Sequence, residues 1–281
     1  MGSIREWFTR RSSGRAPERE AASAASGVRQ LDGRVALVTG GSGILGSAIA
    51  EALAAEGARV AVAYFRRAET AAAVVSRIEH AGGAAFAWRV DVRERADVDA
   101  VVRAAGKRYG DIEILVNNAA TVPTEIGMRG FLEHAWPDYQ AYLDTVVKGA
   151  VNCCQAALPG MVRKGRGRVI NIGTTALNEI NAHLNPYVTA KGALLGLTRS
   201  LAEEFGRHHV TVNLVSPGWV WSAAREPGPD DGRVFRDRSP LGDGLVRPRH
   251  VADAVVFLAS DRAAGITGAT LPVAAGQVML G

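Results

Sequence analysis

The run VALVTGGSGILG, residues 35 to 46, constrains this chain more than any other stretch. Val35 to Val38 is apolar without interruption and reads as a buried strand. A glycine-dense turn follows, and Ile44, Leu45, Ile49 and Leu53 then recur at helical spacing. Gly41, Gly43 and Gly46 have the G-x-G-x-x-G spacing, in which small residues let backbone N–H groups approach a pyrophosphate and let a helix start close to a strand. A helix N-terminus exposed in this way attracts anionic oxygens. The order strand, turn, helix predicts a dinucleotide cradle at Gly40, Gly41, Ser42, Gly43, Ile44, Leu45 and Gly46; taken alone, the glycines read equally well as a structural turn.

The pattern that follows fixes the fold class. Apolar strands are expected at 34–39, 58–64, 84–90, 112–117, 167–173, 210–215 and 270–274, with helices near 43–56, 68–81, 94–108, 136–163, 186–206 and 249–259. Strands without polar alternation, separated by helices, predict an α/β protein with a doubly wound parallel sheet, a single domain of about seven strands over residues 31–281. Such sheets bind ligands at the carboxyl ends of their strands. Residues 1–30, rich in Arg, Ser and Ala, read as a flexible extension, with Ile4, Trp7 and Phe8 able at most to form one short docking turn. Residues 221–247, rich in Pro, Gly and Asp, read as a lid.

Charge and cysteine content exclude several classes. Of the net charge of +5, six Arg against three Glu place +3 in the first thirty residues, leaving +2 on the rest. That is no footprint for nucleic acid. Cys153 and Cys154 are adjacent in a helical pattern, which suits buried thiols of a reducing compartment rather than a disulfide or metal site. With no apolar run of membrane-spanning length and no secretory signal, the expectation is a cytoplasmic protein that binds no metal, membrane or nucleic acid.

Functional residues are expected just after the strands. After the second, Tyr64 is followed by Phe65, Arg66 and Arg67 with no acid to hold a ribose 2′-hydroxyl, which favours NADP over NAD; solvation and capping of a helix start is the alternative. After the third, the Asp91 carboxylate can accept from an adenine amino group or cap a helix, and Val92 lies beside it. After the fourth come Asn117, Asn118, Ala119 and Ala120, suited to bracing the sheet beside a cofactor. After the fifth stands Thr174, then Tyr187 and Lys191, an i to i+4 pair that puts phenol and ammonium on one helical face. After the sixth, Pro217 and Gly218 form a rigid turn from which the Val220 backbone reaches a carboxamide.

Together, TGGSGILG at 39–46, NNAA at 117–120, Thr174, Tyr187-x-x-x-Lys191 and Pro217-Gly218 resemble the short-chain dehydrogenase/reductase family, most of all its 3-oxoacyl-carrier-protein reductase branch, over residues 31–281. The resemblance implies a Rossmann-type fold and a nicotinamide cofactor. It makes Tyr187 the acid that protonates a carbonyl oxygen as hydride arrives, and Lys191 the cation that favours phenolate and holds the ribose. Thr174 would orient the substrate, and Ser222 would lie near the carboxamide. It further implies a homodimer or homotetramer paired through helices 136–163 and 186–206, acting on a small-molecule or carrier-bound ketone.

Four departures qualify this. The family usually has glycine where Ile44 stands; here it has moved to Gly43. Thr174 replaces the usual serine, and Val146 replaces an asparagine of the proton relay. Near the C-terminus Val273-Ala274-Ala275-Gly276 replaces Val-Asp-Gly-Gly. These changes keep open a cofactor-binding scaffold or sensor with little redox activity, and a non-redox dehydration or cyclisation. His183, Glu125, Glu133 and Asp138 read as ordinary surface groups, and Trp219 and Trp221 as pocket or core.

Overall fold

Seven strands, the central ones buried on both faces and the edge strands β3 and β7 partly exposed, pair side by side, all parallel, in the order β3-β2-β1-β4-β5-β6-β7. A computed structural model describes residues 29–120, 129–178, 183–221, 239–241 and 246–279. Glu125, Ser222, nearly all of the extension at 1–30 and most of the expected lid lie outside the described residues. The strands are β1 (Val35–Val38), β2 (Arg59–Tyr64), β3 (Ala84–Arg89), β4 (Ile114–Asn117), β5 (Gly167–Ile172), β6 (Val210–Pro217) and β7 (Thr270–Val273). β6 runs past its expected end at residue 215, because Ser216 and Pro217 pair with Pro272 and Val273.

Side chains alternate across the sheet as strand geometry requires. Ala36 and Val38 enter a core with α1 (Ile44–Ala55), α2 (Ala68–His80) and the last long helix (Pro248–Ala259). Val35 and Leu37 enter the opposite core with α3 (Arg95–Tyr109) and the helix Gly149–Lys164. Burial on both faces explains why the strands carry no polar alternation. The strand order reverses between β1 and β4, which pair in register at Leu37 and Leu115, so a crevice opens above them.

The helix expected as one piece over 136–163 is interrupted. It begins as α4 (Trp136–Tyr142), widens into a π turn over Leu143–Lys148, and continues as α5 (Gly149–Lys164). In the widened turn the Gly149 N–H bonds the Asp144 carbonyl, five residues back. From the end of α4 through the π turn to the first residues of α5, Tyr142, Val146 and Ala150 face α6 (Asn185–Phe205). Further along α5, Cys153, Cys154, Ala157, Leu158 and Met161 face α3 and the sheet. The remaining long helix, Pro248–Ala259, is α7.

Candidate active site

The glycine turn is shaped by close approach. Gly40 has φ +62°, a backbone conformation that disfavours side chains. A Cβ on Gly46 would lie 2.2 Å from the Gly40 carbonyl oxygen, so α1 starts against the turn only because that position is bare. Gly41 points inward, where a Cβ would meet Val62 at 2.8 Å. It therefore supports the turn from behind instead of lining the cleft.

A buried threonine ties this turn to β4. Thr39 Oγ1 donates to the Val116 carbonyl at 3.2 Å and accepts from the backbone N–H groups of Asn118 and Ala119, each at 3.0 Å. Asn118 returns the contact, its Nδ2 donating to the Thr39 carbonyl at 2.9 Å. Asn117 instead crosses the core and donates to Asn171 at 2.8 Å. Bracing by this segment thus falls on both sides of the strand end.

A cleft of about 590 Å³ lies over the turn, within the size range of cofactor sites. Its floor is Gly40, Ser42, Gly43, Ile44, Leu45 and Gly46; Asn118, Ala119 and Ala120 form one wall, and Tyr64, Arg66, Arg67, Asp91 and Val92 another. Ala141 and Thr145 close the side next to the π turn. The bare glycines and the first turn of α1, whose N–H groups have no helical partner, fit a pyrophosphate. Arg67 occupies the N-cap of α2 but makes no side-chain capping bond. Asp91 is not the cap of α3, a place taken by Glu94. Its carboxylate is instead forked by Arg93, which holds it below the usual carboxylate range.

At the carboxyl end of β5 stand Thr174, Tyr187 and Lys191. The Thr174 hydroxyl is hydrogen-bonded to the Tyr187 phenol and accepts from the Ala176 N–H at 3.2 Å. Burial pushes the phenol pKa above its ordinary value, and the bond from Thr174 opposes that shift. The Lys191 ammonium donates to the Ile172 carbonyl at 2.5 Å and lies 5.9 Å from the Tyr187 ring centroid. Burial brings its pKa down to about 8, so the amine still carries its proton at neutral pH. For the phenol, desolvation is the larger of the two influences and the Thr174 hydrogen bond the smaller.

The π turn joins the two clusters. Thr145 lines the cleft, while Tyr142 stands edge-on to Tyr187 with ring centroids 5.8 Å apart. Val146, 3% exposed, sits among Tyr142, Ala150, Ala190, Leu194 and Leu214. The place of the relay amide is apolar.

Pro217 and Gly218 end β6 beside Ala274, which a Cβ on Gly218 would meet at 3.0 Å. Val220 bridges Val246, and the Trp221 N–H donates to the Val246 carbonyl at 2.8 Å, so the two ends of the expected lid are fastened together. Trp221 is buried against Trp219, the two rings 5.8 Å apart. His183 is exposed, at φ +71°. Glu133 and Asp138 are more than surface charges: each accepts a backbone N–H at the start of a helical turn, from Gly130 and Ala135, and Asp138 also pairs with Arg129. Burial pushes both cysteine thiols up, Cys154 to about 12, as suits inert core residues. Among the described residues no group of His, Cys, Asp or Glu is arranged to hold a metal, and no helix is long and apolar enough to cross a membrane.

A parallel sheet with this strand order, a glycine cradle at its reversal and a Thr-Tyr-Lys cluster beside it define a class: the chain belongs to the short-chain dehydrogenase/reductase family and is an NAD(P)-dependent oxidoreductase. The family profile described as "Enoyl-(Acyl carrier protein) reductase" matches residues 40–277. The chain is 36% identical over 245 residues to the 3-oxoacyl-[acyl-carrier-protein] reductase of Staphylococcus aureus, covering 87% of this chain and 98% of that one. It is 36% identical over 250 residues to the Vibrio cholerae protein of the same name, covering 89% and 99%. Among solved structures, a 7α-hydroxysteroid dehydrogenase complexed with NADH and 7-oxo glycochenodeoxycholic acid superposes with a TM-score of 0.82 at 29% identity, over 90% of this chain and 97% of that one. A Serratia marcescens short-chain dehydrogenase/reductase mutant superposes at 0.81 with 34% identity, over 88% and 99%.

Sequence reading named Thr39 within the glycine motif and Phe65 after the second strand without giving either a role, and it missed Arg93. Thr39 had a signal, a hydroxyl at the first residue after β1. That Phe65 and Arg93 meet had no signal, since only the parallel pairing of β2 with β3 brings the ends of those strands together.

Proposed function

We propose that this enzyme reduces a ketone or 3-oxoacyl group to a secondary alcohol, with NADPH in preference to NADH and Tyr187 as general acid. The observation that carries the reading is the gathering of the Thr174 hydroxyl, the Tyr187 phenol and the Lys191 ammonium at the end of β5, next to the glycine-floored cleft. When bound, the reduced nicotinamide supplies the hydride. Thr174 donates to the substrate carbonyl and fixes its direction. Tyr187 gives its proton to the oxygen as the carbonyl electron pair moves onto it, and Lys191 stabilises the phenolate left behind. Arg66 and Arg67 line the cleft where a 2′-phosphate would sit and favour NADP electrostatically.

Pro217, Gly218, Val220 and Ser222 are assigned to the carboxamide side. Carrier-bound substrates fit the similarity to 3-oxoacyl-carrier-protein reductases, and a homodimer or homotetramer pairing through α4, α5 and α6 is what the family resemblance implies.

The test is NADPH consumption with a panel of ketones and 3-oxoacyl thioesters. Tyr187→Phe is expected to lower turnover by at least ~100-fold with NADPH affinity within about twofold of the unaltered enzyme; an active phenylalanine variant refutes the assignment. The apolar surroundings of Val146 favour a second reading, a cofactor-binding protein with little redox activity, or a non-redox use of Tyr187 as acid. Brisk NADPH oxidation by the unaltered protein eliminates it.

A further inference from the structure

We propose that a cavity at the amino ends of β5 and β6, the opposite end of the sheet from the cofactor cleft, binds a small, multiply charged oxyanion of the phosphate or sulfate type; the inference goes beyond the functional reading above and does not depend on it. The cavity measures about 270 Å³ and is lined by Arg166, Arg168, His209, Thr211 and Thr267, with no carboxylate on its wall. At roughly 30 Å³ of liquid per water, a tetrahedral ion fits with several waters. Gly165, Gly206 and His209 at its rim are exposed, and a Cβ on either glycine would meet nothing within 4 Å, so the mouth is open. Arg168 and Thr211 are register partners on neighbouring strands and leave the sheet on one face, where Arg168 Nε reaches the Ser260 carbonyl beyond α7 at 3.4 Å.

Charge and unfilled donors both fit an anion there. Among the described residues, the four cations Arg34, Lys164, Arg166 and Arg168 share two carboxylates, Asp261 and Glu113, and Asp261 is 67% exposed. Positive charge is therefore left over beside the cavity. Burial first, and the charge of Arg34 second, push the Arg168 pKa below its ordinary value. The protons of Arg168 are directed to the carbonyls of Gly167, His209 and Ser260 and to Asp261, so it contributes field more than hydrogen bonds. The bonds come from its neighbours. Arg166 holds Glu113 through Nη2 alone, which leaves Nε and Nη1 open. Thr267 Oγ1 accepts the Val212 N–H at 3.0 Å and keeps its own proton to donate. The hydroxyl of Thr211, a residue only 6% exposed, has no hydrogen-bond partner among the described residues, which is exceptional for a buried polar group. A tetrahedral oxyanion offers several acceptor oxygens together with the missing charge, whereas chloride supplies only the charge.

Inorganic phosphate titrated into the full chain at constant ionic strength, with and without saturating NADPH and with chloride as the reference salt, tests this by calorimetry and by melting temperature. Binding is expected to saturate with a dissociation constant of about 1 mM or tighter, to persist with NADPH present, and to be displaced by sulfate; the melting temperature should rise and follow the same saturation. Arg166→Gln should weaken phosphate at least ~10-fold, the loss of a charge-assisted contact. Thr211→Val, which keeps the shape and removes the hydroxyl, should weaken it by roughly threefold or more and keeps the inference testable if Arg166→Gln fails to fold. Unchanged phosphate affinity in both variants overturns the proposal. So does binding that NADPH abolishes and Arg66→Gln weakens, since that phosphate sits in the cofactor cleft. A melting temperature that climbs without saturation, equally in the unaltered protein and both variants, is the general effect of an ion excluded from protein surfaces and overturns it as well. No arm requires turnover, so a failed ketone screen would refute the functional reading and leave this one standing.

Discussion

Ala275 is held at φ +51° in the C-terminal turn, a left-handed conformation that costs a residue with a Cβ roughly 1–2 kcal/mol. Its neighbour Gly276 has φ +80° and packs where a Cβ would meet Pro240 at 2.9 Å. Ala275→Gly is expected to raise stability by up to ~1 kcal/mol, the relief of strain less the added freedom of the unfolded chain; thermal melting measures it. Lys191 gives a pH-dependent counterpart. Its folded pKa, about 8, is below its ordinary 10.5. Between those values the folded state has released a proton that the unfolded chain still binds, so the burial penalty is full below pH 8 and fades as pH rises toward 10.5. The stability of unaltered protein relative to Lys191→Met should therefore increase across that window in cofactor-free melts, and a flat difference would show that burial does not shift the amine.

The elements that decide function are those where two pieces of backbone touch. α1 reaches the turn because Gly46 has no side chain; Gly46→Ala would force the helix away from the Gly40 carbonyl and Asn118. Overpacking of this kind costs roughly 1–3 kcal/mol. It should weaken dinucleotide affinity at least ~10-fold, a change of about 1.4 kcal/mol in binding, seen by titration alongside a lowered melting temperature. The turn was legible in the sequence because glycine spacing carries local information. The π turn was not, since residues 136–163 have an ordinary helical pattern, and the widening serves a change of packing partner from α6 to the sheet. For the same reason Val146 reads in sequence only as a missing amide, while the fold makes its surroundings apolar.

Across the whole molecule, the amino ends of the strands are tied by charges remote from the site. Arg34 and Arg168, both nearly fully buried, converge on Asp261, while Glu113 is held by Lys164 and Arg166. Asp261→Asn leaves two buried guanidiniums short of a counter-charge. A loss of about 2 kcal/mol in denaturant unfolding is expected, below the usual range for a broken buried pair because Asp261 itself is largely exposed. The carboxyl pKa of Asp261 is lowered by Arg34, so this contribution is present above its ordinary value of 3.8 and is lost as pH falls through the lower folded value. The sequence by itself determined the parallel sheet and the close glycine turn, because both rest on short-range periodicity and spacing, while Thr174, Tyr187 and Lys191 were legible as a set only through the resemblance to the family. Only the tertiary structure decided that Gly41 faces Val62, that Asp91 belongs to Arg93 and Phe65, and that desolvation governs Tyr187 and Lys191. Those outcomes depend on which strand ends become neighbours and how much water remains between them, and neither quantity is written in any local stretch of residues.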